Sequence, residues 1–145
     1  MSFVMTIEER EAFLAGVHVG VLAVGRDGRA PLAVPVWYSY EPGGEVLIWM
    51  ERGSVKDKAI RAAGRFSLAV QTETAPYKYV TAEGPLVAND EMPTREQADA
   101  IARRYLPADE VAGYVDAALN ERTILVRMRP EKWLSNDQGK TEDAG

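Results

Sequence analysis

The chain has 145 residues, 46% of them hydrophobic, enough for one domain with a buried core. Its 17 basic and 22 acidic residues give a formal charge of −5, the wrong sign for a general nucleic-acid binder, so any anion site has to be local. There is no cysteine, which excludes disulfides, thiolate catalysis and thiolate-held zinc, and His18 is the one histidine.

In chain order, "TIEEREAFLAG" has Thr6 as an N-cap, glutamates in its first turn and Gly16 at its end, and predicts a short leading helix. "VHVGVLAVG" predicts a strand with His18 near its start, a rim or surface position. Asp27-Gly28 is a tight-turn dipeptide between two β-rich runs, so "PLAVPVWYSY" follows as the second arm of a hairpin. Pro35 inside that arm marks an edge, a bulge or backbone left free for a ligand. "VLIWM" does not alternate and reads as a third strand buried on both faces.

Ser54 caps a helix over "VKDKAIRAA" that Gly64 ends, and "RFSLAVQTE" returns as a fourth strand. "YKYVTAEGPLVAN" predicts a fifth strand, bent at Gly84-Pro85, on which Tyr77 and Tyr79 either cover a substrate or pack. "TREQADAIARRYL" and "DEVAGYVDAAL" predict two helices split by Pro107, with Ala98, Ile101, Ala102 and Tyr105 at helical spacing. "RTILVRMRP" alternates as a last barrel strand, and "EKWLSND" closes the chain. Residues 1–140 are expected to form a single domain, with 141–145 a disordered tail. The N-terminus lacks a basic region followed by an apolar core, and no apolar run approaches the roughly 20 residues of a membrane span, so a cytoplasmic protein is expected.

The stretch "ERGSVKDKAIRAAGR" gathers Arg52, Lys56, Lys58, Arg61 and Arg65 around one short helix of an acidic chain. A helix N-terminus presents unpaired N–H groups and the positive end of a dipole, so Ser54 with Lys56 and Lys58 fits a phosphate seat. The same spacing also suits charges on a solvated helix face. No Ser/His/Asp or paired-carboxylate arrangement is present to support hydrolysis, and no Asp/Glu cluster has metal-ligand spacing, so no metal site is expected.

Six strands in hairpins, a short helix between the third and fourth, and a helical excursion before the last predict a mainly β, antiparallel barrel with peripheral helices. This order, with "GVLAVGRDGRAPLAVPVWY" at 20–38, "SVKDKAIRAAGRFSLAV" at 54–70, "AEGPL" at 82–86 and "RPEKWLSND" at 129–137, resembles the pyridoxamine 5'-phosphate oxidase-like split β-barrel superfamily. Within it the chain is most similar to the small actinobacterial flavin/deazaflavin oxidoreductases, across roughly Ile7 to Asp137. It lacks the arginine-rich second and third strands of the vitamin-processing oxidases. The resemblance implies an FMN-binding-protein-like, six-stranded split barrel that forms a homodimer, with the cofactor ring between subunits.

By the same resemblance, Ser54, Lys56 and Lys58 hold the cofactor phosphate, with Arg52 as an outlying candidate. Val34, Pro35, Val36 and Trp37 match the strand that contacts the ring. Trp133 and Asp137 match the partner strand that completes the pocket, and Trp133 packing at an interface is the alternative. F420 is the expected cofactor, with Arg52, Arg61 and Lys78 as candidates for its acidic tail, and FMN is the alternative. The implied activity is hydride delivery to a planar conjugated small molecule. A non-catalytic cofactor or ligand carrier is the rival reading, and a haem-binding relative is disfavoured by the lone His18.

Overall fold

The structure, a computed structural model, describes residues 2–140; the expected disordered tail at 141–145 lies outside the described residues. Helix α1 (Ile7–Ala15) starts at a reciprocal capping box, in which Thr6 accepts from the Glu9 N–H and the Glu9 carboxylate accepts from the Thr6 N–H at 2.8 Å. Lys140 pairs with the same carboxylate and, with the Thr6 contact, holds the Glu9 pKa down at about 2. Strands β1 (Gly20–Arg26) and β2 (Arg29–Val36) form the expected hairpin, with Gly28 at φ +69° in the Asp27-Gly28 turn. His18 lies just ahead of β1 rather than on it, because the chain there turns off α1 before it pairs.

β3 (Val46–Glu51), α2 (Val55–Ala63), β4 (Arg65–Gln71) and β5 (Lys78–Ala88) follow, then α3 (Arg95–Ala102), α4 (Ala108–Ala118), β6 (Thr123–Met128) and β7 (Lys132–Asp137). The antiparallel path β2-β1-β4-β5-β6-β3 accounts for the six expected strands, and β7 adds to β5 beside that path. The two ends of the path, β2 and β3, form no ladder with each other among the described residues; just past β2, Ser39 makes an isolated bridge to Leu47 of β3. The sheet therefore curls into a barrel that stays split between them. Inside sit Leu22, Ile48, Leu68, Val70, Val80, Ile124 and Met128, all at 1% exposure or less.

β3 departs from the expectation of burial on both faces. Val46, Ile48 and Met50 point into the core, whereas Leu47 and Trp49, on the other face, are only half-buried. β6 is the strand covered on both faces, since Thr123 and Leu125 are buried along with Ile124 and Val126. One approach is exceptionally close. A Cβ on buried Gly84 would lie 1.8 Å from the Arg129 carbonyl oxygen, where the chain leaves β6 and continues as β7 along the same edge of β5. The Arg129 N–H donates to Pro85 O at 3.2 Å and the Glu131 N–H to Glu83 O at 2.8 Å, so the crossing is hydrogen-bonded on both sides of the glycine.

α3 and α4 make a hairpin with a small core of its own, built on Ala98, Ala102, Val111 and Val115 and packed against Trp49. The expected helix over 94–106 ends at Ala102, and turns at 103–105 carry Arg104 and Tyr105 back to the barrel. Arg104 donates to the carbonyls of Ala15 at 3.0 Å and Gly16 at 2.7 Å, the last acceptors of α1. Among the described residues, no helix is long and apolar enough to cross a membrane.

Candidate functional site

The split between β2 and β3 opens into a cleft of about 520 Å³, within the range of small-molecule sites. Pro35, Val36 and Trp37 form one wall, Ile48 to Glu51 the opposite wall, and Tyr114 and Ala118 of α4 close one side. Lys56 enters from the first turn of α2, and Asn120 and Thr123 line the end below α4. Among the described residues the facing edges of β2 and β3 carry no ladder across the cleft, so their backbone groups are available to a bound molecule.

Aromatic packing sets the shape of this cleft. The Trp37 ring stacks on Tyr105 with centroids 5.0 Å apart and 7° between planes, and Tyr114 tilts against it at 5.4 Å. Tyr114 also meets the edge of Trp49 at 6.1 Å, so one residue of α4 touches both indoles. The Tyr105 hydroxyl donates to the His18 carbonyl at 2.7 Å and accepts from the Tyr38 N–H at 3.2 Å, which locks the ring that backs Trp37. Buried Tyr38 donates to Leu14 O at 2.6 Å, and burial pushes its phenol pKa well above the usual range. His18 donates from Nε2 to Phe13 O at 2.9 Å; desolvation, with Arg104 nearby, pushes its pKa down and favours the neutral ring. This imidazole bonds to α1 and does not line the cleft.

The first turn of α2 carries the cap expected of a helix start. Ser54 caps it by accepting from the Asp57 N–H at 3.2 Å, and the Lys58 N–H returns to Ser54 O at 3.0 Å. Buried Asp57 accepts from the Gly53 N–H at 2.7 Å and from Arg61 at 2.9 Å. The N–H groups of Val55 and Lys56 are the open donors of that turn, beside the Lys56 side chain. Arg122, absent from the sequence reading, stands next to them. It donates to Glu51 at 3.1 Å and to Arg52 O at 3.0 Å, with its guanidinium 3.6 Å from a Cβ built on Gly53.

The residues predicted from sequence do not all meet in one place. Pro35, Val36, Trp37 and Lys56 share the cleft, and Ser54 caps the helix at its end. Val34 turns inward against the core. Lys58 lies on the other side of α2, in a separate groove. Arg52 donates to Asp90 O at 3.1 Å, and Arg61 is tied to Asp57, Asp90 and the Asn89 carbonyl. Lys78 pairs in register with Asp137 at the far end of β5. Trp133 is half-buried, edge-on to Tyr40 at 6.1 Å and under the Arg10 guanidinium at 4.8 Å, and the Asp137 carboxylate accepts from the Gly139 N–H at 2.8 Å. Within one chain neither residue lines the cleft. Trp49, Tyr105, Tyr114 and Arg122 are the additions; the first three carried only their aromatic character as a signal. Among the described residues no group of three or more His, Asp or Glu side chains forms a metal cluster.

Solved structures share this fold. An F420 reductase has a TM-score of 0.67 at 21% identity, over 86% of this chain and 94% of that one. An FAD-binding protein from Mesorhizobium loti has 0.66 at 21%, over 91% and 92%. A conserved hypothetical protein from Mycobacterium tuberculosis has 0.72 at 24%, over 95% and 88%. At such identities the likeness is one of fold. No curated protein sequence matches the chain. The family model for pyridoxamine 5'-phosphate oxidase matches residues 6–133, and the chain belongs to that family.

Proposed function

We propose that the protein is an F420-dependent reductase that delivers hydride to a planar conjugated small molecule, in a cleft completed by a second copy of the chain. The observation that carries this reading is the continuity of the site: an indole-walled cleft between two unpaired strand edges leads directly to the open N–H donors of α2 and to Lys56. A flat ring with one polar edge and a phosphate asks for that combination. When bound, the deazaflavin supplies the hydride. Trp37 and Pro35 flank the ring, the β2 and β3 edges bond its polar rim, Ser54 and Lys56 hold the phosphate, and Tyr105 and Tyr114 fix the indoles and exclude water. The solved F420 reductase of the same fold adds support.

A second reading, an FMN oxidoreductase, is favoured by a specific observation. Arg61 is committed to Asp57 and Asp90, and Lys78 lies at the far end of β5, so two of the cations expected for an acidic tail are not beside the seat. The second copy has a surface to cover. Pro35, Val21, Ala69, Thr81 and Leu134 stand in one cross-strand row on the outer face of the sheet, with Val21 42% and Leu134 61% exposed. Trp133 and Asp137 are proposed to reach the cofactor of the partner in that assembly.

Fluorescence titration of F420 and FMN into wild type and Lys56→Ala tests the reading. F420 is expected to bind more tightly than FMN. Loss of one charge-assisted bond to phosphate, worth about 1.5–3 kcal/mol, should weaken it tenfold or more. Tighter FMN binding transfers the proposal to the second reading. Failure of both cofactors to bind removes it, and binding without oxidation of the reduced cofactor by quinones leaves a carrier.

A further inference from the structure

Arg61, Arg95, Arg122, Arg127, Arg129 and Lys140 each pair with a carboxylate of the chain. Arg26, Arg29, Lys58 and Arg65 form no ion pair among the described residues, and all four line one groove of about 880 Å³ between the β1–β2 turn and α2. Arg26 and Arg29 face each other across the β1–β2 turn, and the fold brings Lys58 of α2 and Arg65 at the start of β4 to the same groove. Asp27 and Glu83 also line the groove and leave it with two uncompensated positive charges, in a chain whose net charge is −5. The two positive charges left over repel the rest of the cluster unless a further anion lies among them.

The floor of the groove is apolar. Val55, Ala59, Ala62 and Ala63 recur at helical spacing along one face of α2, and Ala23 of β1 stands across from them. The opposite face of the helix is already spent on the core, where Ile60 is fully buried. Ala59 of this stripe also belongs to the core, but Val55, Ala62 and Ala63 are exposed, so most of the stripe is left uncovered by the barrel. A purely ionic ligand would gain nothing from it, and a neutral one nothing from the arginines.

We infer that this groove is a second ligand site, separate from the cleft, for a small-molecule anion with an apolar body: a carboxylate, sulfonate or phosphate at the arginine rim and a hydrocarbon or aromatic part on the alanine stripe. The inference does not depend on the cofactor in the cleft, because Lys56 and Lys58 leave α2 in different directions and each serves one cavity.

The probes are 8-anilinonaphthalene-1-sulfonate and its uncharged analogue N-phenyl-1-naphthylamine, titrated by fluorescence at two salt concentrations. The sulfonate is expected to bind wild type at least tenfold more tightly than the uncharged probe and to weaken as salt rises. Arg29→Ala with Arg65→Ala should cost at least tenfold. Ala62→Glu, at an exposed helix position that tolerates the side chain, should abolish binding, while Lys56→Ala leaves it unchanged. Equal affinity for the two probes, or loss of binding in Lys56→Ala with retention in the groove variants, overturns the inference. So does a wild-type dimer that ignores the sulfonate and that the double arginine variant turns into a monomer by light scattering, because a second copy then covers the groove.

Discussion

Replacing Tyr105 by Phe removes one oxygen and should cost more than any other conservative change near the cleft. The ring stack on Trp37 at 5.0 Å survives, but the His18 carbonyl loses its donor and the Tyr38 N–H loses its acceptor. Tyr38 is fully buried, so water cannot readily restore that bond. An unsatisfied buried donor costs about 1–3 kcal/mol and an ordinary lost hydrogen bond about 0.5–1.5 kcal/mol, which together put the loss at roughly 2–3 kcal/mol. With a shift of about 2–4 °C per kcal/mol for chains near this size, the melting temperature should fall by about 5–10 °C. Tyr114→Phe is the matched control: its hydroxyl makes no hydrogen bond among the described residues, and its ring also faces Trp37. Differential scanning calorimetry of both variants decides the matter. A Tyr105→Phe melting temperature within about 1 °C of wild type refutes the lock.

Gly84→Ala should destabilise strongly, by more than about 3 kcal/mol, because its Cβ meets backbone at Arg129 rather than a movable side chain; urea unfolding with a wild-type midpoint would contradict this. Asp57→Ala strands the Gly53 N–H and frees Arg61, so stability should drop by about 2–3 kcal/mol in urea unfolding, and the turn bearing Lys56 should loosen. The Glu9 pKa is depressed from 4.5 to about 2, so the contribution of its ionised form is fully present above about pH 4.5 and is lost as pH falls towards 2. Thermal melts of Glu9→Gln across that window should accordingly show a shallower pH dependence than wild type, and parallel curves would exclude the effect.

Much of the fold was legible because its signals are local. Thr6 and Ser54 cap helices through their own side chains, Asp27-Gly28 makes the hairpin, and Gly64 ends α2 in the left-handed region. The pairing of Lys56 with Lys58 in one seat was a different case. Two positions apart on a helix, side chains diverge, and α2 duly sends one into the cleft and the other into the groove. Trp133 could not be located from sequence, since its surroundings follow from the register of β7 on β5, fifty residues upstream by chain and adjacent in space. Tyr114 reaches the cleft and Tyr105 backs its Trp37 wall because α3 stops at Ala102 and the helical hairpin folds back on Trp37 and Trp49, a tertiary event with no local marker.

The sharing of one edge of β5 by β6 and β7 bears on the order in which the chain acquires its structure. β4 and β5 are neighbours in sequence and can zip up early, whereas the opposite edge of β5 waits for partners about 40–55 residues further on, such as Leu86 for Met128 and Val80 for Ser135. Until those arrive, Val80, Ala82 and Leu86 sit on an open strand edge, and a chain emerging from the ribosome presents that edge for as long as the α3–α4 segment takes to be made. Closure then also draws in the other terminus, since Met5 N–H donates to Ser135 Oγ at 3.1 Å and Asp137 N–H to Phe3 O at 2.8 Å. Folding should therefore be late and concerted, with demand for chaperones concentrated in the interval before β7 docks.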